Sequence, residues 1–145
     1  MYIVHLVGDI HQPLHCTDNN DRGGNTVQVK FHGNVTNLHK FWDYDMIEDM
    51  TSSSTVSEYA KKLMSIPAER GFWIEDWAND SHRIAQTYVY AIPSDRELGN
   101  TYYQRNKSIL EKQLVKASEK LVQVLEDALK PSPAPARSRK GAAAL

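Results

Sequence analysis

The sequence predicts an all-α fold carrying one small β-hairpin. Three observations point to it. Leu110, Leu114, Ala117, Leu121, Leu125 and Ala128 recur at intervals of three and four, with Lys and Glu between them, as an amphipathic helix requires. Val27, Val29 and Phe31 alternate with Thr26, Gln28 and Lys30, which is the clearest strand pattern in the chain. Pro13, Pro67 and Pro93 divide the rest into segments of helical length and composition.

Residues 1–12 read as a helix. Ile3, Val4, Val7 and Ile10 form an apolar stripe, and His5 and Asp9 lie one turn apart on a shared face. Pro13 disfavours helix at Gln12 and bends the chain. Residues 16–25 are rich in Asn, Asp and Gly and read as a polar loop. The strand at 26–31 follows. His32-Gly33-Asn34 turns the chain and Val35-Thr36 returns as a short partner. Thr36 or Asn37 caps a helix over 38–49 that is dense in large side chains, namely Leu38, Phe41, Trp42, Met46 and Ile47. Further helices are expected over 52–65 and 74–90, the latter with Trp73, Trp77, Ile84 and Tyr88 on or near one face. The final helix spans 102–129, and its stripe is expected to pack into the core. Two regions result: a domain over 1–130 and a Pro- and Ala-rich tail over 131–145, expected to be disordered or extended.

Composition excludes several classes. The 145 residues hold one Cys, so no intrachain disulfide framework exists. No apolar run approaches the roughly 18 residues of a membrane span. The apolar start is short, lacks a basic region and is interrupted by His5 and Asp9, so it does not read as a signal peptide. Three of the 17 basic residues, Arg137, Arg139 and Lys140, sit in the tail, so 14 face 18 acidic residues in the body. A broad basic surface for nucleic acid would have the opposite balance. Positive charge for a phosphate substrate must therefore come from elsewhere, such as a bound metal.

Five of the six histidines fall within the first 39 residues. His5-x-x-x-Asp9 and His39-x-x-x-Asp43 each place an imidazole and a carboxylate side by side on a helix, and His15 follows the Pro13 bend. Alone, either pair reads as a surface ion pair. Together with His15 they make a metal site and a structural role equally good readings. Such nitrogen and oxygen donors suit Zn²⁺ better than Mn²⁺ or Mg²⁺. His11 fits a hydrogen bond that orients a ligand or holds the bend. His32 and His82 fit exposed structural roles, and Cys16 fits a small buried one.

The run His5-x-x-x-Asp9-x-His11-x-x-x-His15, then Gly23-Gly24-Asn25, then Thr36-Asn37-Leu38-His39-x-x-Trp42-Asp43, resembles the zinc-dependent S1/P1 nuclease family. Trp77-Ala78 with Ser81 and the terminal amphipathic helix resemble its C-terminal half, so the likeness covers residues 3–130. The resemblance implies the phospholipase C/P1 nuclease-like helical fold and three zinc ions. His5 would bind one zinc of a close pair. Asp9 would bridge that pair and is the candidate catalytic residue. His15, His39 and Asp43 would hold the third zinc. The implied reaction is hydrolysis of phosphodiester bonds in single-stranded DNA or RNA, with 3′-phosphate removal from nucleotides. Nucleic acid or nucleotides would be the partners, with no membrane and no protein partner. Family members are secreted, periplasmic or vacuolar.

Departures qualify this. The family places an N-terminal Trp, a His, an Asp and a further His upstream of the His5 motif. The chain is therefore expected to begin inside its first metal-binding helix and to carry five of nine ligand residues, with one complete zinc site and little or no activity. Asp45 stands where fungal members carry a base-contacting Asn, implying altered base recognition. Two alternatives are a non-catalytic zinc-binding remnant and a zinc phospholipase C-like hydrolase. Against the latter, the His15–His39 gap is longer than phospholipases use, and they carry Glu where Asp43 stands.

Overall fold

The computed structural model describes residues 2–67 and 74–130. It is mostly helical with one two-stranded antiparallel sheet, as the sequence predicts. The tail expected over 131–145, and Trp73 of the expected stripe, lie outside the described residues.

Helix α1 (Tyr2–Ile10) stops one residue before the bend, where the backbone amides of His11 and Gln12 still reach the carbonyls of Gly8 and Asp9. Gln12 is extended (φ −83°, ψ 117°), as a residue before proline prefers, and Pro13 opens a 3₁₀ turn, Pro13–Cys16. The apolar stripe of α1 is only partly covered: Val7 is buried, whereas Ile3 and Val4 are exposed.

Strands β1 (Gln28–Phe31) and β2 (Asn34–Asn37) pair with Val29 opposite Thr36 and Phe31 opposite Asn34. His32 and Gly33 both have positive φ (49° and 77°), the geometry of a two-residue turn whose twist matches the strands. Val29 and Phe31 point inward, as the alternation requires. The other edge of β1 is tied to the loop before the last helix through Lys30 N–H to Arg96 O and Leu98 N–H to Lys30 O, both 2.8 Å.

Asn37 caps the next helix, its Oδ1 accepting from Lys40 N–H at 2.8 Å. This helix is not uniform. Helix α2 (Leu38–Lys40) widens into a π turn over Phe41–Asp45 and resumes as α3 (Met46–Thr51). Leu38, Phe41, Trp42 and Met46 are fully buried and anchor the core. Trp42 Nε1–H meets Tyr102 OH at 3.3 Å, and that hydroxyl donates to Val89 O at 2.6 Å.

Helix α4 (Val56–Leu63) begins later than the expected residue 52. Thr55 and Glu58 form a reciprocal capping box, a stronger start than Ser52 offers. Helix α5 (Ile74–Ile84) also ends in a π turn, Ala85–Val89. Helix α6 (Asn100–Leu129) crosses the molecule. Of its expected stripe, Leu110 is buried and Leu114 packs half-buried against the core. Leu125 is 37% exposed, whereas the polar Gln113 and Lys120 are buried. The core is built instead from Tyr102, Tyr103 and Leu110 of α6 against β1, α2, α3 and the π turn after α5.

Candidate metal centre

The bend after α1 is pinned by two helices from distant sequence. Ser81 Oγ–H donates to Ile10 O at 2.7 Å. The carbonyl of Cys16 can only accept, so His82 Nδ1 carries the proton of their 3.1 Å bond. Gln113 of α6 donates to His11 O at 2.9 Å. His11 itself is buried and donates from Nδ1 to Val7 O at 2.7 Å, holding the bend as its position suggested. His82 is half-buried against the bend rather than exposed. Three partners thus fix the backbone from which His15 projects.

The facing wall comes from α2. His39 Nδ1 donates to Gly23 O at 2.8 Å, so its Nε2 is the nitrogen with a free lone pair. Gly23 has φ +63°, and a Cβ there would lie 2.7 Å from Leu14 O. The glycine therefore serves two needs, a left-handed backbone and close approach to the bend.

Between these walls His15, His39 and Asp43 converge, each offering one donor atom, all within 4.8 Å of one another. Asp43 Oδ1 lies 3.3 Å from His15 Nε2, and Oδ2 lies 3.1 Å from His39 Nε2. The two rings stack at 5.1 Å between centroids. The side chains are about a quarter to a third exposed, so the cluster opens to solvent. Two imidazole Nε2 atoms and one carboxylate form a donor set that suits zinc with a position left for water or substrate.

Asp9 reaches the same cluster. Its Oδ1 bonds His15 Nδ1 at 2.7 Å, so here the carboxylate orients an imidazole. His5 is exposed on α1 and joins no donor group among the described residues. Asp45 is held by Thr36 Oγ1 at 2.6 Å and by Lys40 Nζ at 3.0 Å. His32 is exposed, 3.3 Å from Asp49, and Cys16 is half-buried with its thiol on Ile10 O.

Sequence reasoning missed Gln12. Its Nε2 donates to Asp43 Oδ1 at 2.5 Å, while its Oε1 accepts from Leu14 N–H and caps the 3₁₀ turn. The one signal was its place before Pro13, where a side chain acceptor can cap the following turn.

Charge follows geometry. The hydrogen bond to Asp43, together with the charges of Asp43 and Asp9, raises the His15 pKa above 6.5 despite burial. Burial pushes the Asp43 carboxyl up, but hydrogen bonds from His15 and Gln12 and the neighbouring imidazoles outweigh it and hold it below 3.8. Metal binding requires a bare Nε2, so a proton on His15 competes with the metal. Metal affinity of this cluster should therefore rise with pH through the raised His15 value, whereas the His15 contribution to metal-free stability should move the other way, opposed there by buried His11, whose lowered pKa favours higher pH. The His15 contribution is complete below the ordinary 6.5 and is lost as pH rises through the folded value. Thermal melts of wild type and His15→Gln at about pH 6 and about pH 8, with chelator and with saturating zinc, check this as a change in sign of the His15 effect.

A family model described as S1/P1 Nuclease matches residues 1–130. The chain belongs to this family. Nuclease S1 of Aspergillus oryzae is 31% identical over 155 residues, which cover 86% of this chain and 52% of that protein. Endonuclease 4 of Arabidopsis thaliana is 33% identical, covering 86% and 48%, and nuclease P1 of Penicillium citrinum is 28% identical, covering 83% and 53%. The chain thus spans about half the length of the curated relatives it matches. Its relatives are nucleases, and the donor cluster lies within the matched segment. No helix among the described residues is long and apolar enough to cross a membrane.

Proposed function

We propose that the chain carries a zinc site of an S1/P1-type nuclease, whose reaction is hydrolysis of phosphodiester bonds in single-stranded DNA or RNA. The observation that supports this most is the convergence of His15 Nε2, His39 Nε2 and the Asp43 carboxylate. These three residues would hold one zinc. When bound, zinc polarises a phosphoryl oxygen, acidifies a water and offsets the negative charge of the substrate.

The remaining roles belong to the chain itself. Gly23 O and Asp9 each take an Nδ1 proton, from His39 and His15 respectively, and so present both Nε2 atoms inward. Gln12 holds one oxygen of Asp43 and limits its rotation. The acidic body then poses no obstacle to a phosphate, because attraction is concentrated at the metal. The family match favours nucleic acid over phospholipid as the substrate class. By the same likeness, the working compartment would be extracellular or periplasmic.

Asp9 and His5 are the residues that the family resemblance assigns to the zinc pair. Here Asp9 is engaged with His15, and His5 is exposed on α1. We therefore expect this polypeptide alone to be a zinc binder with little turnover. Incubated with single-stranded DNA and Zn²⁺ beside nuclease S1, it should cleave roughly 10²–10³-fold more slowly or worse. Turnover comparable to nuclease S1, abolished by Asp9→Ala, would contradict this single-site reading and show a working pair.

A further inference from the structure

Between α5 and α6, behind the pinned bend, lies an open cavity of about 740 Å³. None of the metal-cluster residues lines it. Its volume is that of a small-molecule site, and its walls mix aromatic and aliphatic surface with several cations. Trp77, Tyr88 and Ile109 supply the apolar part.

Two buried polar groups in this cavity lack what burial normally demands. Lys120 is 5% exposed, yet among the described residues its ammonium has only Gln123 Oε1 at 3.5 Å and the Trp77 ring at 6.0 Å. A buried ammonium without a carboxylate is costly unless an anion accompanies it. Gln113 is 3% exposed. Its amide donates to His11 O and Ser81 Oγ, but among the described residues its Oε1 accepts from nothing. An orphaned buried acceptor calls for a donor.

The other cations differ in availability. Arg83 and Lys116 both pair with Asp80, and Arg105 is spent on the carbonyls of Tyr88 and Ala91. Lys112 is exposed at the rim. The cavity therefore offers a deep ammonium for an anion with a second cation, Lys112, at the rim, a deep acceptor for an N–H or O–H donor, and the half-exposed Tyr88 ring for a flat group.

We infer that the α5–α6 cavity binds a mononucleotide, with its phosphate on Lys120 and a base or sugar donor on Gln113 Oε1. A phosphate ester of a flat base with amino and hydroxyl groups supplies all three features at once. The choice of a nucleotide rests on the nuclease reading above, but the demand for an anion and a donor rests on Lys120 and Gln113 alone.

The test uses the full chain with chelator present, so that the metal centre contributes nothing. Titration with 5′-AMP, followed calorimetrically and by tryptophan fluorescence, should show saturable one-to-one binding. Lys120→Met should weaken it at least tenfold, and the rim reversal Lys112→Glu should weaken it less, with circular dichroism unchanged for Lys112→Glu. Lys61→Glu, on α4, should leave it unchanged. Inorganic phosphate should compete more weakly than AMP, and adenosine should bind at least tenfold more weakly. No saturation at millimolar AMP overturns the proposal. So does adenosine binding as well as AMP, or an equal loss in Lys61→Glu. Because no metal is present, failure here is distinct from failure of the nuclease reading, which shows as loss of zinc binding or of zinc-dependent cleavage.

Discussion

Asp43→Ala should abolish binding at the proposed zinc site. Among the described residues Asp43 is the one group with an ion-pair contact to both imidazoles, through Oδ1 to His15 and Oδ2 to His39. Without it the two Nε2 atoms keep their orientation but lose the only anionic donor of the three-residue group. Loss of a mere outer partner typically weakens metal binding by about 10–100-fold, so loss of this donor should exceed that range. The fold should be nearly indifferent. The Asp43 side chain is 37% exposed, and partly exposed ion pairs contribute roughly 0–1 kcal/mol. Competition against a chromophoric chelator measures the affinity, and thermal melts with chelator measure the stability. Zinc affinity within threefold of wild type would remove Asp43 from the site.

Gly23→Ala should damage both the fold and the metal centre, and Gly33→Ala separates its two causes. Both glycines have left-handed backbones, with φ +63° and +77°. That conformation costs a non-glycine residue about 1–2 kcal/mol. At Gly33 nothing lies within 4 Å of the added Cβ, so that cost stands alone. At Gly23 the Cβ meets Leu14 O at 2.7 Å, and a backbone oxygen cannot rotate away. Overpacking of this kind adds about 1–3 kcal/mol. The same Cβ lies 3.6 Å from His39 Nδ1, beside the bond that orients the ring. Denaturant midpoints should fall further for Gly23→Ala than for Gly33→Ala, and zinc affinity should fall only for the former. Equal effects would mean that the bend yields freely around Gly23.

Local rules made much of this legible in advance. Alternation located β1, and His32-Gly33 marked its turn. Thr36-Asn37 marked the start of α2, with Asn37 the cap, and four-residue spacing brought His39 and Asp43 together. The same spacing in His5 and Asp9 gives a different outcome. A helical period fixes which residues share a face, but not which face meets another element. Asp9 turns toward His15, whereas His5 stays in solvent.

The stripe on α6 shows the same limit, since Leu125 is exposed while Gln113 and Lys120 are buried. What covers a helix is a tertiary question that periodicity does not answer. The π turns over Phe41–Asp45 and Ala85–Val89 add a residue to a turn without any compositional mark, so the sequence predicts ordinary helix there. Gln12 was missed for a related reason. Its amide reaches Asp43, 31 residues away, only because Ser81, His82 and Gln113 hold the bend in place.

The central claim is that this polypeptide assembles one zinc site from His15, His39 and Asp43. Its most direct test is the number of zinc ions retained per chain after exhaustive dialysis against metal-free buffer, counted by elemental analysis beside a protein assay. The account predicts one zinc in the wild type. Three zinc ions per chain, or none retained, would contradict it.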